Sequence, residues 1–105
     1  MKSQFGEKIR ALRKNQNLYL RQVAPLLEMD TAQLSKIEKG LRQIKKEQIA
    51  VLAGIFKTSK DELLILWLAD QLYEVVKDEK LADQAIHAAG QKIMLSKKKR
   101  NYIKQ

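Results

Sequence analysis

The chain has 105 residues, 45% of them hydrophobic, and no cysteine. This length suits one domain with its own core, and the lack of cysteine excludes disulfides and thiolate metal sites. No stretch approaches the roughly 18 consecutive apolar residues of a membrane span, and charges interrupt the N-terminal apolar residues, unlike in a signal peptide. These features together predict a soluble cytoplasmic protein.

The net charge of +9 is unevenly distributed along the chain. Residues 1–50 carry 11 Lys and Arg against 5 Asp and Glu, residues 51–91 carry 4 against 7, and residues 92–105 carry 6 against none. The N-terminal half and the tail are therefore suited to a polyanion, whereas the middle is not. On charge alone, a basic protein without any nucleic-acid role remains an alternative, because a high pI is only the first feature of nucleic-acid binders.

Apolar periodicity predicts two helices in the first 27 residues. The first helix runs from an N-cap at Ser3 to about Asn15, and Asn17 beyond it tolerates the left-handed conformation that ends helices. The second helix covers about residues 20–27. Pro25 cannot donate a hydrogen bond inside a helix, so this helix is either kinked or begins late enough to place Pro25 in its first turn.

Residues 30–40 have the pattern of a short helix with both ends marked. Asp30 is a good N-cap, and Gly40 stands where a left-handed residue commonly ends a helix. Leu34 and Ile37 are spaced to face a core. The outward face carries short, polar or basic side chains, namely Thr31, Ala32, Gln33, Lys36 and Lys39. Such a face is suited to contact another molecule rather than to stabilise the fold.

Two further helices are predicted over about residues 46–56 and 60–77. The second of them opens with a capping box formed by Ser59 and Glu62. Its segment 63–69 is apolar on all sides, which is more than one buried face requires. The additional apolar face is therefore expected to contact another chain.

The last predicted helix runs from a cap at Asp78 to about Met94. Residues 95–105 have little to bury, so this basic tail is expected to be disordered. Its run Lys97–Arg100 is suited either to clamp phosphates or to remain solvated, and the sequence does not decide between the two. No strand pattern and no internal repeat occurs in the sequence.

The segment from Leu18 to Gly40 resembles the lambda-repressor-like helix-turn-helix of the XRE family of bacterial regulators, and its most specific part is L-S-K-I-E-K-G at residues 34–40. The resemblance covers about residues 4–65. It implies an all-α, lambda-repressor-like helix-turn-helix domain of five helices with an added C-terminal helix. The chain would comprise a DNA-binding domain at 1–65, a dimerisation module at 60–94 and the tail at 95–105. The other matching residues are Ile9, Leu12, Arg13, Leu18, Val23, Ala24, Leu27, Met29, Leu52, Ala53, Leu63 and Leu64.

The resemblance also implies roles for individual residues. It implies that the residues that contact bases are Thr31, Ala32, Gln33 and Lys36. This agrees with the chemistry of base edges, since Gln pairs with adenine, Lys bonds guanine, and methyl groups touch thymine. Backbone phosphate contacts fall to Arg21, Lys39, Arg42 and Gln43. Arg13 and Glu38 match a partly buried ion pair that orients the third helix, and Glu28 departs from the family by standing at a turn position where Gly is common.

The implied function is sequence-specific binding of double-stranded DNA by a homodimeric transcriptional regulator, a repressor or autoregulator on a pseudo-palindromic operator. Control of a restriction–modification cluster is one subclass. The expected dimer interface consists of Leu64, Trp67, Leu68, Leu72 and Val75. Two alternatives stay open: an antitoxin-like module whose C-terminal helices bind a partner protein, and a non-specific nucleic-acid-binding protein. No enzyme, cofactor or membrane association is expected. No metal site is expected either, because His87 is the only histidine and the chain has no cysteine to complete one.

Overall fold

The computed structural model describes residues 3–104 and their side chains through Lys99. These residues form α-helices and no strand. The helices are α1 (Gln4–Asn15), α2 (Leu20–Val23), α3 (Thr31–Glu38), α4 (Lys46–Phe56), α5 (Lys60–Val76) and α6 (Ala82–Lys104). The fold is therefore all-α, as the sequence predicts, and no helix in this part of the chain is long and apolar enough to cross a membrane.

The chain divides into two compact units, Met1–Gln71 and Leu72–Gln105. The first unit includes α5 as far as Gln71, and within it the Asp70 carboxylate contacts the start of α1. Its core draws on α1, α2, α3, α4 and the start of α5. The buried apolar side chains are Phe5, Ile9, Val23, Ala24, Leu27, Leu34, Ile37, Ile44, Ile49, Leu52, Ala53, Phe56 and Leu63.

Side-chain caps mark the starts of α1 and α3 as predicted. The Ser3 hydroxyl accepts a hydrogen bond from the Gly6 N–H at 2.8 Å, and the Asp30 carboxylate accepts one from the Gln33 N–H at 2.8 Å. Each cap satisfies an N–H group that has no partner within its helix. Gly40 adopts φ 77° just after α3, so the expected left-handed glycine is present.

The second predicted helix is interrupted at Pro25. The regular helix α2 ends at Val23, and residues Ala24–Leu27 continue as a 3-10 turn with Pro25 at its start. Proline has no N–H to bond the carbonyl of Arg21, so the α-helical pattern cannot pass through it. Glu28 then adopts the left-handed conformation, with φ 56°, and leads the chain into α3.

Helix α6 differs from its prediction at both ends. Asp78 does not cap it, because residues 77–81 form turns in which the Glu79 N–H donates to the Val76 carbonyl at 2.8 Å. The helix begins at Ala82 and continues through the basic tail to Lys104, where the sequence pattern predicts disorder. Lys and Arg are good helix formers, and cations are favourable near a helix C-terminus. Gln105 lies outside the described residues.

Candidate nucleic-acid interface

Helix α3 has one face that packs against the core and an opposite face that is exposed. Leu34 and Ile37 are buried, at 1% and 3% exposure. Thr31, Ala32 and Lys36 are exposed. The exposed side chains make no contact that the fold requires, so they are available to contact a ligand.

The fourth residue predicted to touch bases, Gln33, is only half-buried and lies beside the loop that follows α3. It lines a hollow of about 290 Å³ together with Arg42 and Gln43. Glu28, in the turn before α3, lines the same hollow. The structure thus brings one predicted base contact next to two predicted phosphate contacts.

The other two predicted phosphate contacts lie elsewhere. Arg21 is exposed on α2, and its guanidinium carbon is 4.5 Å from the centre of the Tyr19 ring. A cation over an aromatic face is attracted to it, so this contact restrains Arg21 at the surface. Lys39 lines a separate groove of about 240 Å³ with Arg10 and Lys14 of α1.

Arg13 and Glu38 form a two-pronged ion pair between α1 and α3. The Arg13 Nε–H donates to Glu38 Oε2 at 2.8 Å, and an Nη2–H donates to Oε1 at 3.0 Å. The two side chains are 11% and 5% exposed. The hydrogen bond to Glu38 raises the pKa of Arg13 above its ordinary value, and an Nη1–H also donates to the Leu18 carbonyl at 2.9 Å. The pair therefore connects α1, the entry to α2 and the end of α3.

Gly6 allows α1 to approach the end of α3 more closely than any other residue would. A Cβ atom at Gly6 would lie 2.6 Å from the carbonyl oxygens of both Ile37 and Glu38, well inside van der Waals contact. The sequence pattern does not single out this glycine, because its role depends on a neighbour more than 30 residues away. It is a residue of the scaffold that sets the position of α3.

Asp70 is a second residue that sequence reasoning missed. Its carboxylate accepts hydrogen bonds from the Ser3 hydroxyl at 2.6 Å, from the Gln4 N–H at 3.0 Å and from the Phe5 N–H at 3.0 Å. A carboxylate at this position satisfies N–H groups of the first turn and complements the positive end of the helix dipole. Asp70 therefore fastens the start of α1 to α5.

The residues predicted for a dimer interface have different environments. Leu64 and Trp67 pack against the core, and the Trp67 indole N–H donates to the Ile44 carbonyl at 3.1 Å. Leu68, Leu72 and Val75 are 45%, 55% and 78% exposed. Only these last three present substantial apolar surface to a second molecule.

Within the described residues, no cluster of three or more His, Asp or Glu side chains is arranged to hold a metal ion. His87 is exposed on α6.

A short helix, a turn and a second helix with an exposed polar face, held by α1, α4 and α5, define a helix-turn-helix domain. Residues 4–64 match a family model described as a helix-turn-helix domain. The match covers more than half of the chain, so the chain belongs to this helix-turn-helix domain family, and membership supports a role as a DNA-binding regulator. Comparisons with curated proteins and with solved structures find no match.

Proposed function

We propose that this protein binds duplex DNA sequence-specifically and regulates transcription, with α3 lying in the major groove. The outward face of α3 carries this proposal, because Thr31, Ala32 and Lys36 are exposed while the opposite face is buried. A major groove admits an α-helix, and each base pair presents there its own pattern of donors, acceptors and methyl groups. The side chains on α3 supply a methyl surface, an amide and an ammonium group that match this pattern.

Backbone contacts would hold α3 in register. Arg42 and Gln43 are exposed in the loop after α3, and Arg21 is exposed on the helix that precedes it. Lys39 is exposed at the end of α3. Contacts from such side chains to phosphates orient a protein on the duplex without reading sequence, and the excess of cations in residues 1–50 favours them.

A symmetric dimer would allow two copies of α3 to enter successive major grooves about 34 Å apart on a pseudo-palindromic operator. Leu68, Leu72 and Val75 support this proposal, because they follow one another at helical spacing on α5 and are exposed. Binding over a promoter would exclude polymerase, so repression, including autoregulation, is the simplest mode of action. Control of a restriction–modification cluster is one subclass of this proposed function.

Selection of bound sites from a random duplex pool tests the function directly. We expect enrichment of two related half-sites arranged with two-fold symmetry and centred about one helical turn apart. The selected site should bind at least ~10³-fold more tightly than unrelated DNA of the same length. Near-equal affinity for unrelated DNA would instead establish a non-specific nucleic-acid-binding protein.

The dimer is tested by placing a charge on α5. Leu72→Glu should convert a dimer to a monomer in sedimentation velocity, because a carboxylate buried in an apolar interface is costly. Val51→Glu is the matched control, since Val51 is 43% exposed on α4 and lies outside the proposed interface. If the Leu72→Glu protein stays dimeric, the dimer interface does not include this face of α5.

The same apolar side chains also favour the second candidate, an antitoxin-like module that binds a partner protein. This candidate would be supported by a monomeric chain that binds its selected DNA weakly alone and tightly together with a co-purifying protein.

A further inference from the structure

The C-terminal part of α6 carries positive charge only. Asp83 is the last acidic residue of the chain, and residues 84–105 contain six Lys and Arg. Because α6 continues past Lys99, the described lysines at 92, 97, 98 and 99 are arrayed along a helix rather than dispersed in a coil. From Lys92 to Lys99 the helix advances about 10 Å, at about 1.5 Å per residue. The positions of these four charges along the axis are therefore restricted.

The described lysines of this helix have no acidic partner. Lys92, Lys97, Lys98 and Lys99 are exposed and form no ion pair with the described residues. Elsewhere in the chain the structure does pair exposed lysines, for example Lys77 with Glu74 at 2.9 Å. The charge of α6 is therefore not balanced by the part of the chain that the structure describes.

Successive residues of an α-helix are about 100° apart around its axis, so Lys97, Lys98 and Lys99 point in three different directions. The apolar residues Ile93, Met94 and Leu95 are likewise spread around α6. A helix that lies on a membrane needs a continuous apolar stripe opposite its charges, and this segment has none. A cationic helix without such a stripe is better suited to bind a polyanion whose charges are regularly spaced on an accessible surface.

We propose that the C-terminal part of α6 is a second DNA-binding element that contacts backbone phosphates of duplex DNA. It would add affinity without sequence preference, because phosphate contacts carry no base information. Since α6 is tethered to the domain that contains α3, binding of one element raises the local concentration of DNA around the other. This inference rests on the proposed DNA-binding function and extends it to a surface outside the helix-turn-helix.

The test is the salt dependence of binding for the full chain with Lys97→Gln, Lys98→Gln and Lys99→Gln combined. Each phosphate that a protein neutralises contributes roughly 0.9 to the slope of log affinity against log salt. We expect the slope to decrease by about one to three units per bound protomer for both the selected operator and an unrelated duplex. The ratio of the two affinities should stay unchanged, since the substituted side chains read no bases.

The matched control removes three positive charges from other exposed positions, with Lys60→Gln, Lys77→Gln and Lys80→Gln combined. The control should change the slope by much less than the α6 variant. A second variant, with Lys97→Arg, Lys98→Arg and Lys99→Arg combined, keeps the charge and should keep the wild-type slope. This variant separates loss of charge from any loss of helix, which circular dichroism reports independently.

Two results would overturn the inference. One is a slope that the α6 variant leaves at the wild-type value, and the other is an equal decrease in the control. A lower affinity for single-stranded RNA, with an unchanged slope on duplex DNA, would assign the helix to RNA instead. Failure of the proposed function has a different signature, because the wild-type chain would then show no preference between the selected operator and unrelated DNA.

Discussion

The Ser3 hydroxyl and the Asp70 carboxylate lie 2.6 Å apart, and this hydrogen bond connects the first turn of α1 with α5. Ser3 uses the same oxygen to accept the Gly6 N–H. A Cβ atom at Gly40 would lie 2.8 Å from the Ser3 Cβ, so Ser3 also lies against the end of α3. One small residue thus contacts α1, the end of α3 and α5.

Asp70→Ala should destabilise the fold by about 2 kcal/mol, because the variant loses a helix cap that accepts three hydrogen bonds. Urea denaturation followed by circular dichroism measures this change. Asp61→Ala is the matched control, since Asp61 is exposed on the same helix and should cost less than about 0.5 kcal/mol. Equal losses in the two variants would contradict the capping role of Asp70.

Gly6→Ala should destabilise the domain by about 2 kcal/mol or more, because its Cβ would overlap two backbone oxygens that cannot move independently of α3. Gly54→Ala is the comparison, since a Cβ there has nothing within 4 Å. That variant should be more stable than wild type by roughly 0.5–1 kcal/mol, since alanine is the better helix former. Thermal unfolding measures both changes, and the midpoint temperature should fall for Gly6→Ala and rise for Gly54→Ala. Stabilisation by Gly6→Ala would disprove the close approach of α1 to α3.

Arg13→Ala should cost about 3–5 kcal/mol, because it leaves Glu38 buried without its partner. Replacing both residues by apolar ones of similar size, Arg13→Met with Glu38→Leu, should restore most of that stability. Chemical denaturation of the single and double variants measures the coupling between the two sites. Additive losses would show that the pair does not act as a unit.

Glu28→Gly should stabilise the fold by about 0.5–1 kcal/mol. Glu28 has φ 56°, a conformation that side chains with a Cβ adopt at a cost and glycine adopts readily. Lys57 has φ 53°, so Lys57→Gly should show a gain of the same sign. Glu28→Ala removes the side chain without relieving the backbone, and no gain is expected from it. The midpoints of urea denaturation compare all three variants.

Lys36→Ala should change the preference at a single operator position by about 1–3 kcal/mol, since a side chain that bonds a base edge discriminates between bases. Arg42→Ala should instead weaken binding to every sequence and lower the salt slope by about one unit. Binding titrations against a panel of single-position operator variants separate the two patterns. Uniform weakening by Lys36→Ala would reassign Lys36 to a phosphate.

Local signals in the sequence predict the helix-turn-helix well. The caps at Ser3 and Asp30 and the glycine at residue 40 act on neighbours within a few residues, so spacing alone reveals them. Helix α3 consequently begins directly after Asp30 and ends before Gly40, and α4 also has its predicted bounds. The sequence predicts that Pro25 disturbs the second helix. It does not predict that residues Ala24–Leu27 form a 3-10 turn, because that depends on how the turn packs.

Apolar periodicity does not predict contacts between residues that are distant in the sequence. Asp70 is 67 residues from Ser3, and nothing in its local pattern distinguishes it from a solvated carboxylate. Asp78 has the chemistry of a helix cap, yet the chain makes turns there and begins α6 at Ala82. For the tail, apolar content predicts disorder, whereas the helical preference of lysine favours the helix that the structure contains.

Helix α3 has eight residues, and its buried and exposed faces assign core packing and contact with another molecule to different side chains. Substitutions at Thr31, Ala32 and Lys36 leave the packing of Leu34 and Ile37 untouched, so the domain tolerates new side chains at those three positions without a compensating change in its core. Under the proposed function, divergence after gene duplication would then alter which operator is bound while the protein stays folded. A library randomised at these three positions would, under the same proposal, yield regulators that bind new operators.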